Sequence, residues 1–307
     1  MAHWLVTGGC GFIGSHLAEA LLARGDRVTI LDDLSTGKRE NAPDGAEIVV
    51  GDISDGPLVA KLLAGRDGCF HLAAVASVQR CTEEWVESHR TNLTGTITIF
   101  EAARHAGADG SAIPVVYASS AAVYGDNPDV PLSEDAVTRP LSAYGADKLG
   151  CELHGRVAHG VHGVPNTGFR FFNVFGPRQD PKSPYSGVIA IFTDRIKAGQ
   201  GITIFGDGGQ VRDFVFVGDV VRHLVAAMDA GGGTGEVYNV CTGTQTSVLE
   251  LAHLVAEICG TTAEIAHAPA RTGDIRTSIG NPQRATAAFG VPAQVVFRDG
   301  LKLTLGG

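Results

Sequence analysis

Long apolar runs are missing from this sequence, and so are the signals that accompany them. No stretch approaches the ~20 consecutive apolar residues that a membrane-spanning helix needs. The first segment, MAHWLVTGG, lacks the basic region, long apolar run and cleavage site of a signal peptide. We therefore expect a cytoplasmic protein with no membrane partner, and we interpret this segment as a buried strand.

Cysteines at metal-binding spacing and an excess of positive charge are absent as well. The six cysteines among 307 residues include no CxxC pair, which predicts reduced, buried thiols and no metal site. The formal net charge of −9 argues against nucleic acid as the main partner. It does not exclude an anionic small molecule, because a helix N-terminus and a few arginines can bind one locally.

The first half of the chain alternates apolar runs rich in β-branched residues with amphipathic segments of helical length. The pattern predicts strands in HWLVTG, RVTILD, EIVVGD, GCFHLA and PVVYASS. It predicts helices in IGSHLAEALLARG, NLTGTITIFEAARHAG and AYGADKLGCELHGRVAHG. Strands that alternate with helices indicate an α/β fold with a doubly wound, parallel, Rossmann-type sheet.

This alternation ends after about residue 165. GPRQDPKSPYSG is typical of a long loop, a helix is predicted around Val188–Ala198, and ITIFGDGGQVRDFVFV has the pattern of a hairpin. VYNVCTG is predicted to return to the main sheet as one more strand. We expect a sheet domain of residues 1–168 plus about 213–243, and a smaller, discontinuous α/β domain of residues 169–212 plus 244–307.

Four predicted strand ends together indicate a dinucleotide site. The first strand runs into TGGCGFIGS, where Gly8, Gly11 and Gly14 permit a tight turn and close approach of the backbone to a pyrophosphate at a helix N-terminus. The second strand ends in Asp32, whose carboxylate can bind ribose hydroxyls and repel the 2′-phosphate of NADP. The third ends in GDI, and the fourth in HLAAVASV, where small residues leave room for a cofactor. A glycine turn alone is weak evidence, but the combination predicts NAD.

A YxxxK pair and a nearby serine form the candidate catalytic group. Tyr144 and Lys148 lie one turn apart near the start of a predicted helix, so they share a face. A neighbouring ammonium favours the phenolate, which makes the tyrosine usable as an acid/base. Ser120 ends the strand VVYASS, from which it can hydrogen-bond the phenol and a substrate hydroxyl.

TGGCGFIGS, YASSAAVYGD, SAYGADK, RFFNVFGPRQDP and GQVRDFVFVGDV together resemble the extended short-chain dehydrogenase/reductases of the NAD-dependent epimerase/dehydratase family, most closely the UDP-glucose 4-epimerases. The resemblance covers essentially the whole chain. It implies tightly held NAD, a UDP-sugar substrate and catalytic roles for Ser120, Tyr144 and Lys148. In such an enzyme the tyrosine takes the proton of the 4-hydroxyl while hydride passes to NAD. The 4-keto sugar then rotates about its anchored diphosphate, and hydride returns to the opposite face of the sugar.

The resemblance also implies which residues surround the two ligands. The expected cofactor contacts are Gly8, Gly11, Phe12, Ile13, Gly14, Asp32, Asp33, Ser35, Thr36, Gly37, Asp52, Ile53, Leu72, Ala73, Ala74, Ala76, Asn92, Ser119, Tyr144, Lys148, Phe171 and Val174. The expected substrate contacts are Ser120, Tyr144, Asn173, Gly187, Val188, Thr203, Phe205, Arg212, Arg271, Asp274 and Ser278.

The sequence argues against two alternatives to a UDP-glucose 4-epimerase. The related sugar 4,6-dehydratases need an Asp-Glu pair after the Ser or Thr, and this chain has Ala121 and Ala122 there. A non-catalytic NAD-binding homologue usually lacks the Tyr or the Lys, and both are present. The sequence leaves open whether the sugar is a hexose, an N-acetylhexosamine or a uronic acid.

Four further expectations concern single residues and assembly. Ser278 matches a family position whose small side chain admits N-acetylated sugars. His71, in a core strand, is expected to be a buried, hydrogen-bonded histidine, and Arg178 can be either a phosphate ligand or a structural ion pair. The helices that start near Asn92 and Tyr144 are expected to pair in a homodimer.

Overall fold

This computed structural model describes residues 1–180, 187–270 and 275–306. The strands in chain order are β1 (His3–Thr7), β2 (Arg27–Asp32), β3 (Glu47–Val50), β4 (Gly68–His71), β5 (Val115–Ser120), β6 (Asn166–Phe171), β7 (Asn173–Phe175), β8 (Ile202–Phe205), β9 (Val211–Arg212), β10 (Phe214–Phe216), β11 (Glu236–Val240), β12 (Thr246–Ser247), β13 (Ile265–Ala268) and β14 (Thr277–Ser278).

The helices connect these strands, with short 3₁₀ turns at Arg39–Asn41 and Ala121–Tyr124 and a π-helical turn at Arg90–Thr94. They are α1 (Phe12–Ala23), α2 (Gly56–Leu63), α3 (Val78–Glu83), α4 (Trp85–His89), α5 (Gly95–Ala103), α6 (Ala143–His162), α7 (Val188–Lys197), α8 (Val217–Asp229), α9 (Val248–Ile258), α10 (Gln283–Phe289) and α11 (Phe297–Leu305). Among the described residues, no helix has the length and apolar character needed to span a membrane.

Seven parallel strands form the main sheet, in the order β11-β6-β5-β4-β1-β2-β3. The predicted α/β class and Rossmann-type topology are confirmed, as is the return of VYNVCTG to the sheet as β11. The strand order reverses between β1 and β4, and open sheets of this kind bind ligands at the carboxyl ends of the strands on either side of that reversal.

Both faces of the sheet are covered by helices. Successive residues of β1 show this division, because Leu5 and Val6 are both fully buried but pack into different cores. Leu5 belongs to the core that includes buried residues of α2, α5 and α6, whereas Val6 packs with residues of α1 and α8. This two-sided burial explains why the strands are almost continuously apolar.

A smaller region packs around α7, α9 and α11 and carries its own apolar core. The hairpin predicted in ITIFGDGGQVRDFVFV is wrong. β8 pairs in parallel with β13, β9 lies between β12 and β14, and β10 pairs in parallel with β7. Two glycines with positive φ, Gly206 and Gly208, turn the chain after β8, and Ile202 and Ile204 become buried in the local core. The division into two domains remains a prediction.

Candidate active site

A cavity of about 1070 Å³ opens along the carboxyl ends of the sheet strands. Its wall contains most of the predicted cofactor contacts: Gly8, Gly11, Phe12, Ile13, Gly14, Asp32, Asp33, Ser35, Thr36, Gly37, Asp52, Ile53, Leu72, Ala73, Ala74, Ala76, Ser119, Tyr144, Lys148, Phe171 and Val174. The fold therefore gathers residues that lie as much as 166 positions apart, between Gly8 and Val174, into one concave site.

The glycine-rich turn between β1 and α1 is too tight for side chains. Gly8 has φ +69°, and a Cβ on it would lie 2.7 Å from the backbone N of Ala73. A Cβ on Gly14 would lie 2.2 Å from the carbonyl oxygen of Gly8. This cradle leaves the N-terminus of α1 facing the cavity, which suits a pyrophosphate.

Asp32 is fixed at the end of β2 with its carboxylate on the cavity wall. One oxygen accepts from the backbone N of Cys10 at 2.9 Å and the other from that of Leu34 at 2.9 Å. Burial raises the pKa of this carboxyl, although the two backbone N–H donors oppose that effect. A Cβ on Gly37 would approach Asp32 Oδ1 to 2.8 Å, so a side chain at this position would press against the carboxylate. The cradle and the acid together fit a dinucleotide with unmodified ribose hydroxyls.

The wall after β4 is held from behind by Thr7 and Asn92. Thr7 Oγ1 accepts from the backbone N atoms of Leu72 and Ala73, each at 3.2 Å. The Asn92 amide accepts from the backbone N of Val75 at 2.8 Å and donates to its carbonyl oxygen at 3.2 Å. Asn92 thus lies buried behind the wall, in the π-helical turn, and shapes the segment that faces the cavity.

His71 is a buried, fully hydrogen-bonded histidine, as predicted. Its Nδ1 lies 2.8 Å from Thr7 Oγ1 and its Nε2 lies 2.9 Å from Thr96 Oγ1. Thr96 donates its own hydroxyl proton to the carbonyl oxygen of Asn92, so it accepts from a protonated Nε2. Burial, aided by the charge of Lys148, lowers the pKa of His71 to about 3.

The three predicted catalytic residues, Ser120, Tyr144 and Lys148, all line this cavity. Ser142 caps α6 by accepting from the backbone N of Gly145 at 3.1 Å, which fixes where the helix begins. Lys148 is buried and donates from Nζ to the carbonyl oxygen of Ala118 at 2.8 Å, with Nζ 5.9 Å from the centre of the Tyr144 ring. Ser120 Oγ accepts from the backbone N of Ala122 at 3.2 Å.

The predicted substrate contacts divide into two groups. Asn173 and Gly187 line the cavity with Ser120 and Tyr144. The others lie in the smaller region: Val188 begins α7, Thr203 and Phe205 share the exposed face of β8, and Ser278 pairs with Arg212 across β14 and β9. Arg271 and Asp274 lie outside the described residues.

Arg178 takes part in a structural cluster at the edge of the cavity. It has φ +66°, and its guanidinium donates to His16 Nδ1 at 2.7 Å and forms an ion pair with Glu19. Lys38 pairs with Asp180 at 2.9 Å beside it. These contacts favour the structural interpretation of Arg178.

The cavity wall also contains charged residues that were not predicted: Lys38, Glu40, Arg80, Glu84 and Asp180. Arg80 Nε donates to Glu84 Oε2 at 2.8 Å, and both side chains line the cavity. Arg80 lies in the short helix α3, which is capped by Ser77, and Glu84 directly follows that helix. The sequence did offer one signal for Arg80: it is a cation in a polar stretch directly after a strand that is predicted to bind the cofactor.

Comparison with known proteins shows the family of this chain. The model of the NAD dependent epimerase/dehydratase family matches residues 4–241. This chain belongs to that family. UDP-glucose 4-epimerase of Mycolicibacterium smegmatis is 40% identical over 98% of this chain and 96% of its own length.

Two solved structures share the whole fold. UDP-glucose 4-epimerase of Thermotoga maritima, solved with UDP-glucose, has a TM-score of 0.94 and 38% identity over 99% of this chain and 97% of its own. UDP-N-acetylglucosamine 4-epimerase of Methanobrevibacter ruminantium, solved with UDP-N-acetylmuramic acid, has a TM-score of 0.93 and 33% identity over 99% and 97%. These relatives support an NAD-dependent epimerase, an enzyme of the isomerase class with NAD as cofactor.

Proposed function

We propose that this protein interconverts UDP-glucose and UDP-galactose as a 4-epimerase that works through a transient 4-keto sugar. The observation that carries the proposal is that Ser120, Tyr144 and Lys148 line the same cavity as the glycine-rich turn and Asp32. Bound NAD supplies a hydride acceptor and then a hydride donor, so no net oxidation occurs.

The protein's own residues would handle the proton and the geometry. Tyr144 takes the proton of the sugar's 4-hydroxyl and later returns it. Lys148, held by the carbonyl oxygen of Ala118, would place its ammonium group beside the phenol and could bind the ribose of NAD. Ser120 orients the 4-oxygen from the end of β5.

The turn after Ser120 argues against a sugar 4,6-dehydratase. Ala121 and Ala122 begin the 3₁₀ turn that follows the serine. Elimination of water across carbons 5 and 6 needs an acid and a base there, and methyl groups supply neither. The same positions place no demand on epimerisation, in which Tyr144 exchanges the proton and Ser120 shares in its transfer.

We further propose that the substrate range includes UDP-N-acetylhexosamines. Ser278 lies in β14 beside Arg212 of β9, at the position where the family resemblance puts the size gate. A serine leaves room there for an acetamido group. The similarity to a UDP-N-acetylglucosamine 4-epimerase supports this proposal.

We also propose a cytoplasmic homodimer built through α5 and α6. Leu153, Val157 and Val161 of α6 recur every four residues, and their exposed fractions are 54%, 46% and 71%. Such an apolar stripe on one helix face is suited to burial against a second copy.

The test is incubation of the purified protein with UDP-glucose, UDP-N-acetylglucosamine and UDP-glucuronate, each without added NAD, followed by separation of the products. A 4-epimerase converts its substrate to the 4-epimer and leaves the cofactor as NAD. Formation of a keto-deoxy sugar would indicate a dehydratase, and turnover only with stoichiometric NAD would indicate a dehydrogenase. Conversion of UDP-glucuronate alone would replace the hexose with a uronic acid.

A further inference from the structure

A buried ion pair lies directly beneath the catalytic end of β5. Glu152 of α6 and Arg170 of β6 form two parallel hydrogen bonds, Nε to Oε1 at 2.8 Å and Nη2 to Oε2 at 2.7 Å. Their side chains are 4% and 3% exposed. Burial disfavours the guanidinium charge, but the bonds and charge of Glu152 outweigh it and raise the pKa of Arg170. Burying such a pair is costly, so stability alone does not account for it.

Glu152 also controls the hydroxyl of Ser119. Ser119 Oγ lies 2.5 Å from Glu152 Oε1, and Ser119, the penultimate residue of β5, is buried and is one of the residues that line the cavity. A carboxylate paired with a guanidinium can only accept, so the single hydroxyl proton of Ser119 points toward Glu152. Ser119 therefore has only lone pairs left for a further hydrogen-bond partner.

Its neighbour Ser120 has the opposite arrangement. Ser120 Oγ already accepts from the backbone N of Ala122, which leaves its hydroxyl proton available for donation into the cavity. Two adjacent serines at the end of one strand thus offer different groups: one accepts and the other donates.

Arg170 links the two arrangements. Besides Glu152, its Nη1 donates to the Tyr124 hydroxyl at 2.8 Å, and that hydroxyl donates to Asn239 Oδ1 at 2.7 Å. Burial raises the pKa of Tyr124 to about 12, so the phenol stays a donor. Tyr124 ends the 3₁₀ turn that supplies the backbone N of Ala122 to Ser120. One guanidinium therefore holds both the partner of Ser119 and the turn beside Ser120.

We propose that Glu152, held by Arg170, is a positioning residue that makes Ser119 an acceptor for the carboxamide N–H of bound NAD. Ser120 is thereby left as the donor to the sugar's 4-oxygen. The role of Ser119 depends only on the binding of NAD. The role of Ser120 as a donor to the sugar rests on the proposed function.

The cofactor arm of the test compares NAD with its 3-acetylpyridine analogue, in which a methyl group replaces the carboxamide amino group. The relative affinity is measured by exchange of the bound cofactor. The wild type should prefer NAD, and Ser119→Ala and Glu152→Gln should each reduce that preference about three- to tenfold, the worth of one hydrogen bond. An unchanged preference in both variants would overturn the inference, whether or not any sugar is a substrate.

The catalytic arm uses the double variant Glu152→Met/Arg170→Met, which replaces the ion pair with apolar side chains of similar length and avoids a lone buried charge. We expect kcat to fall by on the order of 10²-fold with KM within about a factor of two, because small misplacement of reacting groups has effects of that size. Thr167→Val is the matched control: it removes a buried hydroxyl that donates to the Gly232 carbonyl oxygen from the far half of β6. It should leave kcat unchanged.

The outcomes separate the two proposals. A double variant with wild-type kcat, or an equal loss in Thr167→Val, would show that the ion pair is only structural. If the wild type epimerises no UDP-sugar, the proposed function is overturned. If Ser119→Ala and Glu152→Gln still reduce the preference for NAD in that case, the role of Glu152 is retained.

Discussion

At the scale of single residues, Tyr144 is the group whose loss should separate chemistry from binding. Tyr144→Phe removes the hydroxyl that exchanges the proton but keeps the ring beside Lys148. We expect kcat to fall by several powers of ten, more than general acid/base catalysis alone contributes (~10²–10⁴), because hydride transfer also depends on the alkoxide. NAD should remain bound, as judged by the cofactor content of the purified variant. Full activity would exclude Tyr144 as the acid/base.

Asp32 is expected to select NAD over NADP. Its two oxygens are fixed by the backbone N atoms of Cys10 and Leu34, so the carboxylate cannot turn away from a 2′-phosphate. Asp32→Asn keeps the shape and removes the charge. The preference for NAD in equilibrium binding should drop about ten- to a hundredfold, the worth of charged hydrogen bonds. Equal binding of both cofactors by the wild type would contradict this role.

Ser278 should set the substrate range. The sugar must fit in two orientations, one for each hydride transfer, so bulk on carbon 2 has to be accommodated twice. Ser278→Tyr should abolish activity on UDP-N-acetylglucosamine and spare UDP-glucose, because overpacking costs ~1–3 kcal/mol only where volume is occupied. Comparing kcat/KM for both sugars, with Ser278→Ala as the control, checks this. Equal loss of both activities would mean that Ser278 is not the gate.

At the scale of secondary-structure elements, His71 connects β4 to β1 and α5 through its two hydrogen bonds. Its pKa is about 3 in the folded protein and about 6.5 in an unfolded chain. Between these values the unfolded chain binds one more proton, so the free energy of unfolding falls as pH falls below about 6.5. This histidine contributes a slope of at most ~1.4 kcal/mol per pH unit.

Urea unfolding at several pH values between 4.5 and 7.5 measures that slope. His71→Asn should have a lower free energy of unfolding at pH 7.5. The pH dependence of that free energy should also be smaller, because unfolding of the variant takes up one proton fewer. His162→Asn, on the exposed end of α6, is the control and should change neither quantity. An unchanged slope in His71→Asn would contradict the neutral, buried state.

The start of α6 shows how an element places a site. The Ser142 cap fixes the first turn, so Tyr144 and Lys148 project together toward the end of β5. Four residues after Lys148, Glu152 reaches the same strand end. One helix therefore supplies the acid/base, its cation and the residue that orients Ser119.

At the scale of the whole molecule, the predicted homodimer is testable through the apolar stripe of α6. Val157→Glu places a charge in the centre of the stripe, and burying an unpaired carboxylate is unfavourable. A stable interface needs at least ~1,000 Å² of buried surface, and a stripe of this size would lie at its centre. A charge there should therefore dissociate the dimer, and light scattering at micromolar concentration should show a monomer. Leu303→Glu, at an exposed apolar position on α11, is the control and should stay dimeric. A monomeric wild type would contradict the prediction.

The sequence by itself determined the parallel sheet, the cofactor turn and the candidate catalytic group, because each is encoded locally. Apolar runs indicate strands that are buried on both faces. Gly8 and Gly14 indicate a turn without space for Cβ atoms, and the YxxxK spacing places its two side chains on one helix face.

The tertiary structure alone decided the pairing and contact of residues far apart in the chain. β8 pairs with β13, some sixty residues later, and no local pattern distinguishes that partner from a hairpin partner. The contacts of Arg80, Arg178 and the Glu152–Arg170 pair were likewise decided by the tertiary structure. A side chain's role depends on which distant groups pack against it, and only the folded chain brings those groups together.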